Sequence, residues 1–237
     1  MIINYVRFIK NNVNKECLKM YYAETYITDK KEDKQFISQF LTYFQQNNNK
    51  FTFYRIYRKK LTFSSVNKNQ MWNILILLKA EEEEHYDHFK QAFKDYRTQL
   101  VRQETMLPTP GSFFPSNEKN GNIQIVEYVN VQQKYLLEFK NIMIHNNGPA
   151  MEHILHTKKW CKEFIALETA DVLYHKAGFP EWNQIHLIAM RPSGVFHFKK
   201  DFNEGLVRVN APNFADNFDR LEQIREFTSK VSASREI

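Results

Sequence analysis

The stretch Trp182–Met190 reads WNQIHLIAM, and a second stretch, Trp72–Ala80, reads WNILILLKA. A segment with a shared pattern follows each of them, HFKQAF at His88–Phe93 and HFKKDF at His197–Phe202. The tryptophan and the histidine are 16 positions apart in the first copy and 15 positions apart in the second. We interpret the two copies as a duplicated unit in which a strand is followed by a helix.

The composition is typical of a folded protein with a buried core. The 237 residues, 43% hydrophobic and 25% charged, suit one large domain or two of about 100 residues each. The longest apolar run, Ile74–Leu78, is too short to span a bilayer, so no membrane partner is expected. Cys17 and Cys161 provide neither a disulfide framework nor a metal-type spacing, which indicates a reducing, cytoplasmic location.

The net charge of +6 raises the question of nucleic-acid binding. Lysine and arginine are scattered along the chain, and their densest run is only Arg58–Lys60, which favours an ordinary solvated surface. Phe51, Phe53 and Tyr57, with Arg55, resemble a base-stacking surface, but the consensus of RNA-recognition sheets is absent. Core packing is the favoured role of these aromatic residues, and nucleic acid is a disfavoured partner.

Residues 1–19 are predicted to be an N-terminal extension that precedes the folded part. No small-residue cleavage site follows the apolar residues 2–9, which disfavours a secretory signal. One hypothesis is that translation starts at Met20, because the codons for Lys15, Glu16 and Cys17 can contain a purine-rich ribosome-binding sequence.

Residues 20–106 are predicted to form a first repeat in the order β-α-β-β-α. Alternating aromatic and β-branched residues indicate the strands, and apolar residues at helical spacing indicate the helices. The predicted elements are the strand Met20–Ile27, the helix Lys34–Gln46, the strands Phe51–Leu61 and Trp72–Lys79, and the helix Glu81–Leu100. Leu107–Asn122, with three prolines and two glycines, is predicted to be a linker.

Residues 123–209 are predicted to form a second repeat in the same order. Its elements are the strand Ile123–Val131, the helix Gln133–His145, the strands Lys162–Thr169 and Trp182–Met190, and the helix Ser193–Gly205, with an additional short helix at Pro149–Thr157. Residues 210–237 are predicted to be a C-terminal helix and tail, which has no equivalent in the first half.

Two β-α-β-β-α units predict an α+β protein with two ferredoxin-like folds. Each small antiparallel sheet has helices on one face and leaves the other face bare, so two units in one chain can cover each other. The fold class is therefore predicted to be two tandem units that pack sheet to sheet as an intrachain α+β barrel.

The sequence resembles the dimeric α+β barrel superfamily, which includes antibiotic-biosynthesis-type monooxygenases, haem-degrading monooxygenases and NIPSNAP-like proteins. The residues that carry the resemblance are the strand–helix pairs Trp72–Phe93 and Trp182–Phe202, together with Glu127 and Tyr128. It covers most of Met20–Val209. The resemblance implies a barrel whose lumen binds an apolar small molecule or haem. It also implies either a monomer with a pseudo-dimeric barrel or a homodimer.

Alternation along the third strand of repeat two predicts which side chains face the barrel. Trp182, Gln184 and His186 are expected to face the lumen, with Ile188 and Met190. The intervening side chains are expected to pack on the helices: Asn183, Ile185, Leu187 and Ala189. The matching lumen positions of repeat one contain no polar pair: they are Trp72, Ile74, Ile76 and Leu78. A single pocket is therefore predicted, and it belongs to repeat two.

His186 is the predicted catalytic residue, as a general acid or base, a haem ligand or a hydrogen-bond donor to the substrate. The alternative is a strand histidine that is bonded to a neighbour or faces solvent. His175 lies in a predicted loop that can overhang the pocket. Glu127 and Glu168 are strand carboxylates that either face the barrel, where burial raises the pKa, or lie at a strand edge in water. No metal site is predicted.

The leading hypothesis is a protein that binds a small apolar or aromatic molecule, with Trp182, Gln184 and His186 in its pocket. In this hypothesis the protein is a monooxygenase that works without a metal or with haem, the one cofactor that the resemblance implies. The alternative is a non-catalytic structural or regulatory barrel whose lumen is filled by its own side chains. A phosphate-binding glycine loop, a nucleophile elbow and a CxxC motif are all absent from the sequence.

Overall fold

The computed structural model describes residues 20–29, 31–66, 72–118 and 123–236. The N-terminal extension predicted over residues 1–19, and the hypothesis of a start at Met20 that depends on it, fall outside this description. No helix in these ranges is long and apolar enough to cross a membrane.

Repeat one follows the order β-α-β-β-α-β. Its elements are β1 (Tyr21–Tyr26), α1 (Asp33–Gln46), β2 (Phe51–Ser65), β3 (Ile74–Ala80), α2 (Glu83–Ala92) and β4 (Leu100–Phe114). The predicted apolar stripe of α1 is buried, with Phe36, Phe40 and Phe44 against the sheet. The second helix is shorter than predicted, because the chain tightens into a 3-10 helix at Lys94–Gln99.

Repeat two has the same order with additional helical segments. Its elements are β5 (Ile123–Val131), α3 (Leu136–Ile142), α4 (Gly148–His153), β6 (Cys161–His175), β7 (Gln184–Met190), α5 (Gly194–Arg208), α6 (Phe214–Ile224) and β8 (Arg225–Arg235). Two π-helical segments, Met143–Asn147 and Ile154–Lys158, join α3 to α4 and extend α4. Lys159 then adopts a left-handed conformation, with φ of 61°, which ends this helical run.

The eight described strands form a closed barrel in the order β1-β3-β2-β8-β5-β7-β6-β4, and each pairing is antiparallel. Four neighbouring strands come from each repeat, and the pairs β2–β8 and β4–β6 join the two sheets. The segments at Trp72 and Trp182 lead into β3 and β7, which occupy equivalent places in their sheets. The predicted α+β fold, two ferredoxin-like units that form one barrel within the chain, is confirmed.

The fourth strand of each repeat was not predicted. Strand β4 continues through Phe114, so the linker prediction is wrong for residues 107–114. The register of β4 against β6 shifts between Pro108 and Phe113, and this bulge accommodates prolines in a strand. Strand β8 lies in the predicted C-terminal tail, where small and polar residues around Val231 and Ala233 conceal the alternation.

Apolar side chains fill the interior of the barrel. Ile185 and Leu187 point inward and pack in one buried cluster with Trp72, Tyr128 and Trp182. Beside the two tryptophans the free space amounts to about 10 Å³, which is too small for a ligand. The prediction of a ligand site in the lumen is therefore wrong, and the alternative prediction of a filled lumen describes this part of the protein.

The predicted faces of β3 and β7 are reversed, although Trp72 and Trp182, which precede these strands, lie inside the barrel as predicted. Ile185 and Leu187, predicted to pack on the helices, lie inside the barrel. His186 instead stacks on Phe139 of α3 with 6.3 Å between the ring centroids, and its neighbour Met190 also packs under the helices. A closed barrel of eight strands is just wide enough for side chains to fill it, so its dry interior takes the aliphatic set. Repeat one shows the same reversal for the residues that face its helices, Ile74, Ile76 and Leu78.

If the interior is a packed core, Leu187→Ala should destabilise the protein by about 2–5 kcal/mol, because the change leaves a cavity that the closed barrel cannot collapse. Leu137→Ala is the matched control, since the Leu137 side chain is 72% exposed. Its unfolding free energy should stay within about 0.5 kcal/mol of the wild type. Denaturant unfolding measures both values, and equal effects of the two substitutions would contradict a packed interior.

Candidate functional site

A cavity of about 270 Å³ lies between the sheet of repeat two and its helices. Strands β5, β6, β7 and β8 form its floor, and α5, α6 and the helical run that contains α4 cover it. Most of its lining consists of methionine and phenylalanine side chains, namely Met143, Met151, Phe164, Phe198, Phe202 and Phe218. A few polar groups face this apolar space, which is the usual composition of a small-molecule site.

Aromatic side chains fill the equivalent layer of repeat one. Phe40 stacks on Phe93 with 3.9 Å between the ring centroids, and Phe44 and Phe89 pack beside them. Glu24 occupies the position on β1 that corresponds to Glu127 on β5, since the two residues pair with equivalent positions of β3 and β7. The carboxylate of Glu24 is satisfied by Tyr26, Tyr86 and Arg97. The open layer is therefore in repeat two.

A row of three polar residues crosses the floor of the cavity. The cross-strand register places Glu127 of β5 directly between His186 of β7 and Lys230 of β8. Glu127 Oε2 lies 3.5 Å from His186 Nδ1, and Glu127 Oε1 accepts from Lys230 Nζ at 2.7 Å. The side chains share one face because opposite residues of antiparallel strands point to the same side of the sheet.

Burial and pairing set the protonation states of this row. Burial works to raise the pKa of Glu127, but hydrogen bonds from His186 and Lys230 outweigh it and lower the pKa to about 2. Burial lowers the pKa of His186, and Glu127 only partly opposes this. Near neutral pH the row therefore contains a charged carboxylate, a charged lysine and a neutral imidazole. Burial acts in the direction expected for a carboxylate that faces the barrel, and the two partners from neighbouring strands reverse the net shift in the pKa of Glu127.

The second ring nitrogen of His186 has no partner. Its Nε2 is buried without a hydrogen bond among the residues that the structure describes, and the whole residue is only 2% exposed. With the proton on Nδ1, next to Glu127, Nε2 has a free lone pair and can accept a proton. Because His186 lines the cavity, this acceptor is available to a molecule bound there.

Of the six predicted site residues, only His186 and Glu127 line the cavity. Trp182 lies inside the barrel, where its Nε1 donates to Glu104 at 2.6 Å. Gln184 is buried on β7 away from the cavity lining, and Glu168 pairs with Lys140 on the outer surface of the sheet.

The fourth predicted residue outside the cavity lining is His175, at the end of β6. Its Nε2 lies 3.1 Å from the carbonyl oxygen of Phe179. The sequence reasoning missed Lys230 and Arg225, which line the cavity, because it did not recognise β8. The two residues are five positions apart, so simple alternation places them on opposite faces, and the register shift between Phe227 and Ser229 brings both to the cavity.

Haem was the one cofactor suggested from the sequence. The donor atoms of this cavity suit haem iron, but its volume does not suit the macrocycle. A buried histidine with a free Nε2 and a carboxylate beside Nδ1 has the donor arrangement of an axial ligand. The volume of about 270 Å³ lies below the roughly 300–1,000 Å³ of sites for drug-sized ligands. Such a space suits a ligand of one or two rings, and the macrocycle of haem does not fit it.

No family model and no curated protein matches the sequence. Solved structures of similar fold cover almost the whole chain. They include a proposed monooxygenase from Lactobacillus acidophilus NCFM, with a TM-score of 0.55 and 7% identity over 92% of this chain and 94% of the other. An anthrone oxidase-like protein has a TM-score of 0.57 and 8% identity, with 93% of each chain covered.

A substituted chlorite dismutase from Candidatus Nitrospira defluvii is similar as well, with a TM-score of 0.51 and 13% identity over 96% of this chain and 95% of the other. At such low identity these likenesses show the fold alone. That fold is the ferredoxin-like α+β barrel of the superfamily that the sequence resembles.

The ion pairs of Glu127 should make folding sensitive to acid. Its pKa is about 2 in the folded state and 4.5 ordinarily, so its contribution is complete above pH 4.5 and is lost as the pH falls towards 2. Glu127→Gln should remove on the order of 3 kcal/mol of this pH dependence. Denaturant unfolding at several pH values measures it, with Glu226→Gln, an exposed site on β8, as the control. An unchanged acid dependence in Glu127→Gln would contradict the strength of these pairs.

Proposed function

We propose that this single-chain α+β barrel binds a small aromatic molecule with an ionisable hydroxyl group in the cavity of repeat two. His186 accepts the proton of that group. The observation that carries the proposal is the free Nε2 of a neutral, buried histidine that lines an apolar cavity. The likeness to a proposed monooxygenase and to an anthrone oxidase-like protein is consistent with this ligand class.

The row of polar residues supports proton transfer in a defined direction. The hydroxyl proton moves to Nε2 of His186, which leaves an aromatic oxyanion and an imidazolium. The charged carboxylate of Glu127, 3.5 Å from Nδ1, stabilises the imidazolium. Lys230 also lines the cavity and supplies positive charge for the oxyanion. Because His186 and Glu127 are almost fully buried, their interaction is stronger there than at the surface.

The protein also oxidises the bound ligand in this proposal, as a monooxygenase. The oxyanion makes the aromatic ring electron-rich, and in a ligand that also has a benzylic CH2 group in a fused ring, that group can then react with molecular oxygen. The stoichiometry R2CH2 + O2 → R2CO + H2O balances without a reductant, because one oxygen atom enters the product and the other leaves as water. His186, Glu127 and Lys230 orient and deprotonate the substrate in this scheme. The proposal also places the protein in the cytoplasm, either as a monomer or as a homodimer.

A non-catalytic barrel is the second candidate function, and the packed interior favours it. Tyr128, Ile185 and Leu187 occupy the space in which a lumen ligand would bind. The two candidate functions differ in whether the cavity of repeat two binds a ligand. Ligand binding in that cavity therefore separates them.

Binding of 2-naphthol at pH 7 tests the proposal, because naphthol and naphtholate differ in absorption. The wild type should bind it and produce the naphtholate spectrum. His186→Gln should abolish that spectrum and weaken binding about 10–100-fold, the value of a hydrogen bond to a charged group. The control is His88→Gln on α2, since the His88 side chain is 56% exposed. It should behave as the wild type.

Absence of 2-naphthol binding to the wild type would favour the non-catalytic barrel. Haemin titration completes the test. A Soret band that is present in the wild type and abolished by His186→Ala would overturn the proposed ligand class in favour of haem.

A further inference from the structure

We propose that the ligand carries a carboxylate in addition to its hydroxyl group, and that the guanidinium of Arg225 binds this carboxylate. The inference rests on the proposed function, because it assigns the ligand class of the same cavity. It identifies the ligand as an aromatic hydroxycarboxylate of one or two rings.

Arg225 lies at the start of β8 and lines the cavity. Its guanidinium carbon is 4.9 Å from the ring centroid of Phe227 and 5.8 Å from that of Phe139. Within the described ranges the guanidinium has no ion pair and donates no hydrogen bond. Aromatic contacts therefore hold the flat face of the group, and its five N–H donors are left for another molecule.

The two arginines with almost fully buried side chains, Arg102 and Arg235, have carboxylate partners. Arg102 pairs with Glu104 at 3.1 Å, and Arg235 pairs with Glu163 at 3.0 Å. Both pairs are almost fully buried, as expected because an unpaired charge in a protein interior is costly. Arg225 departs from this pattern.

The charges that line the cavity do not balance. Glu127 is the one carboxylate of the lining, and Lys230 and His186 already occupy it. With His186 neutral, the lining contains the positive charges of Lys230 and Arg225 against the single negative charge of Glu127. Burial lowers the pKa of Arg225, and the charges of Glu127 in the lining and Glu222 outside it partly oppose this. An anionic ligand would neutralise the excess charge.

The chemistry of a guanidinium selects the anionic group. Two parallel N–H donors match the two oxygens of a carboxylate, and the pairing is strong when water is excluded. A phosphate group offers similar oxygens, but the surrounding aromatic and methionine side chains favour a ligand that is mainly a flat ring. The ring then lies among Met143, Phe198 and Phe202, with its hydroxyl group at His186 and its carboxylate at Arg225.

Calorimetric titration of the full chain with 2-naphthol and 6-hydroxy-2-naphthoate tests the inference. The carboxylate should bind the wild type about 10–100-fold more tightly than the naphthol, as expected for a charge-assisted pair. Arg225→Gln should remove this preference, so that the carboxylate binds no more tightly than 2-naphthol. Arg225→Lys should retain part of the preference, because it keeps the charge and loses the paired donors. Arg208→Gln, an exposed site at the end of α5, is the control and should match the wild type.

Each outcome decides one of the two proposals. If 2-naphthol binds and the carboxylate brings no gain, the assignment of Arg225 is overturned and the proposed function stands. If Arg225→Gln weakens both ligands equally while its thermal unfolding matches the wild type, Arg225 shapes the cavity and does not recognise the carboxylate. If inorganic phosphate displaces 6-hydroxy-2-naphthoate at equal concentration, the site is a general anion site. If neither naphthalene ligand binds, both proposals fail.

Discussion

The closed barrel needs a dry interior filled by its own side chains, and the other features depend on this constraint. Eight strands leave room inside only for the barrel's own side chains, which are apolar residues such as Leu187 and paired charges such as Arg102 and Glu104. Because strand residues alternate, filling the inside with aliphatic residues sends the neighbouring polar residues outward, under the helices. The candidate site is therefore located between the sheet and the helices, where His186 meets Glu127 and Lys230.

The two halves use the same layer in different ways. In repeat one, phenylalanines from α1 and α2 fill the layer, and tyrosines bind the carboxylate of Glu24. In repeat two, the helical run from α3 to α4 contains two π-helical segments, and it covers the sheet without filling the space below it. Segments of this kind often occur at functional sites. The open space and the free imidazole nitrogen thus occur together in one half.

The sequence was sufficient to predict the fold, and it was sufficient for only part of the site. The paired stretches at Trp72 and Trp182 identified equivalent strands, and the apolar stripes identified most helices, because both signals come from local periodicity. The face of β7 could not be predicted from alternation alone, since the pattern is the same whichever set points inward. Strand β8 was missed because its inward residues are small, and with it Arg225 and Lys230. The partners of Glu127 come from two other strands, and such contacts leave no local trace.

Encoding both ferredoxin-like units in one polypeptide has a consequence for how such a barrel can specialise. In an assembly of identical subunits, every substitution appears at two places at once, so a gain for ligand binding on one side is also a packing defect on the other. Here Glu24 and Glu127 occupy matching positions and mutate independently. One unit can remain a rigid support that provides most of the stability, while the other unit gives up some packing for an open space.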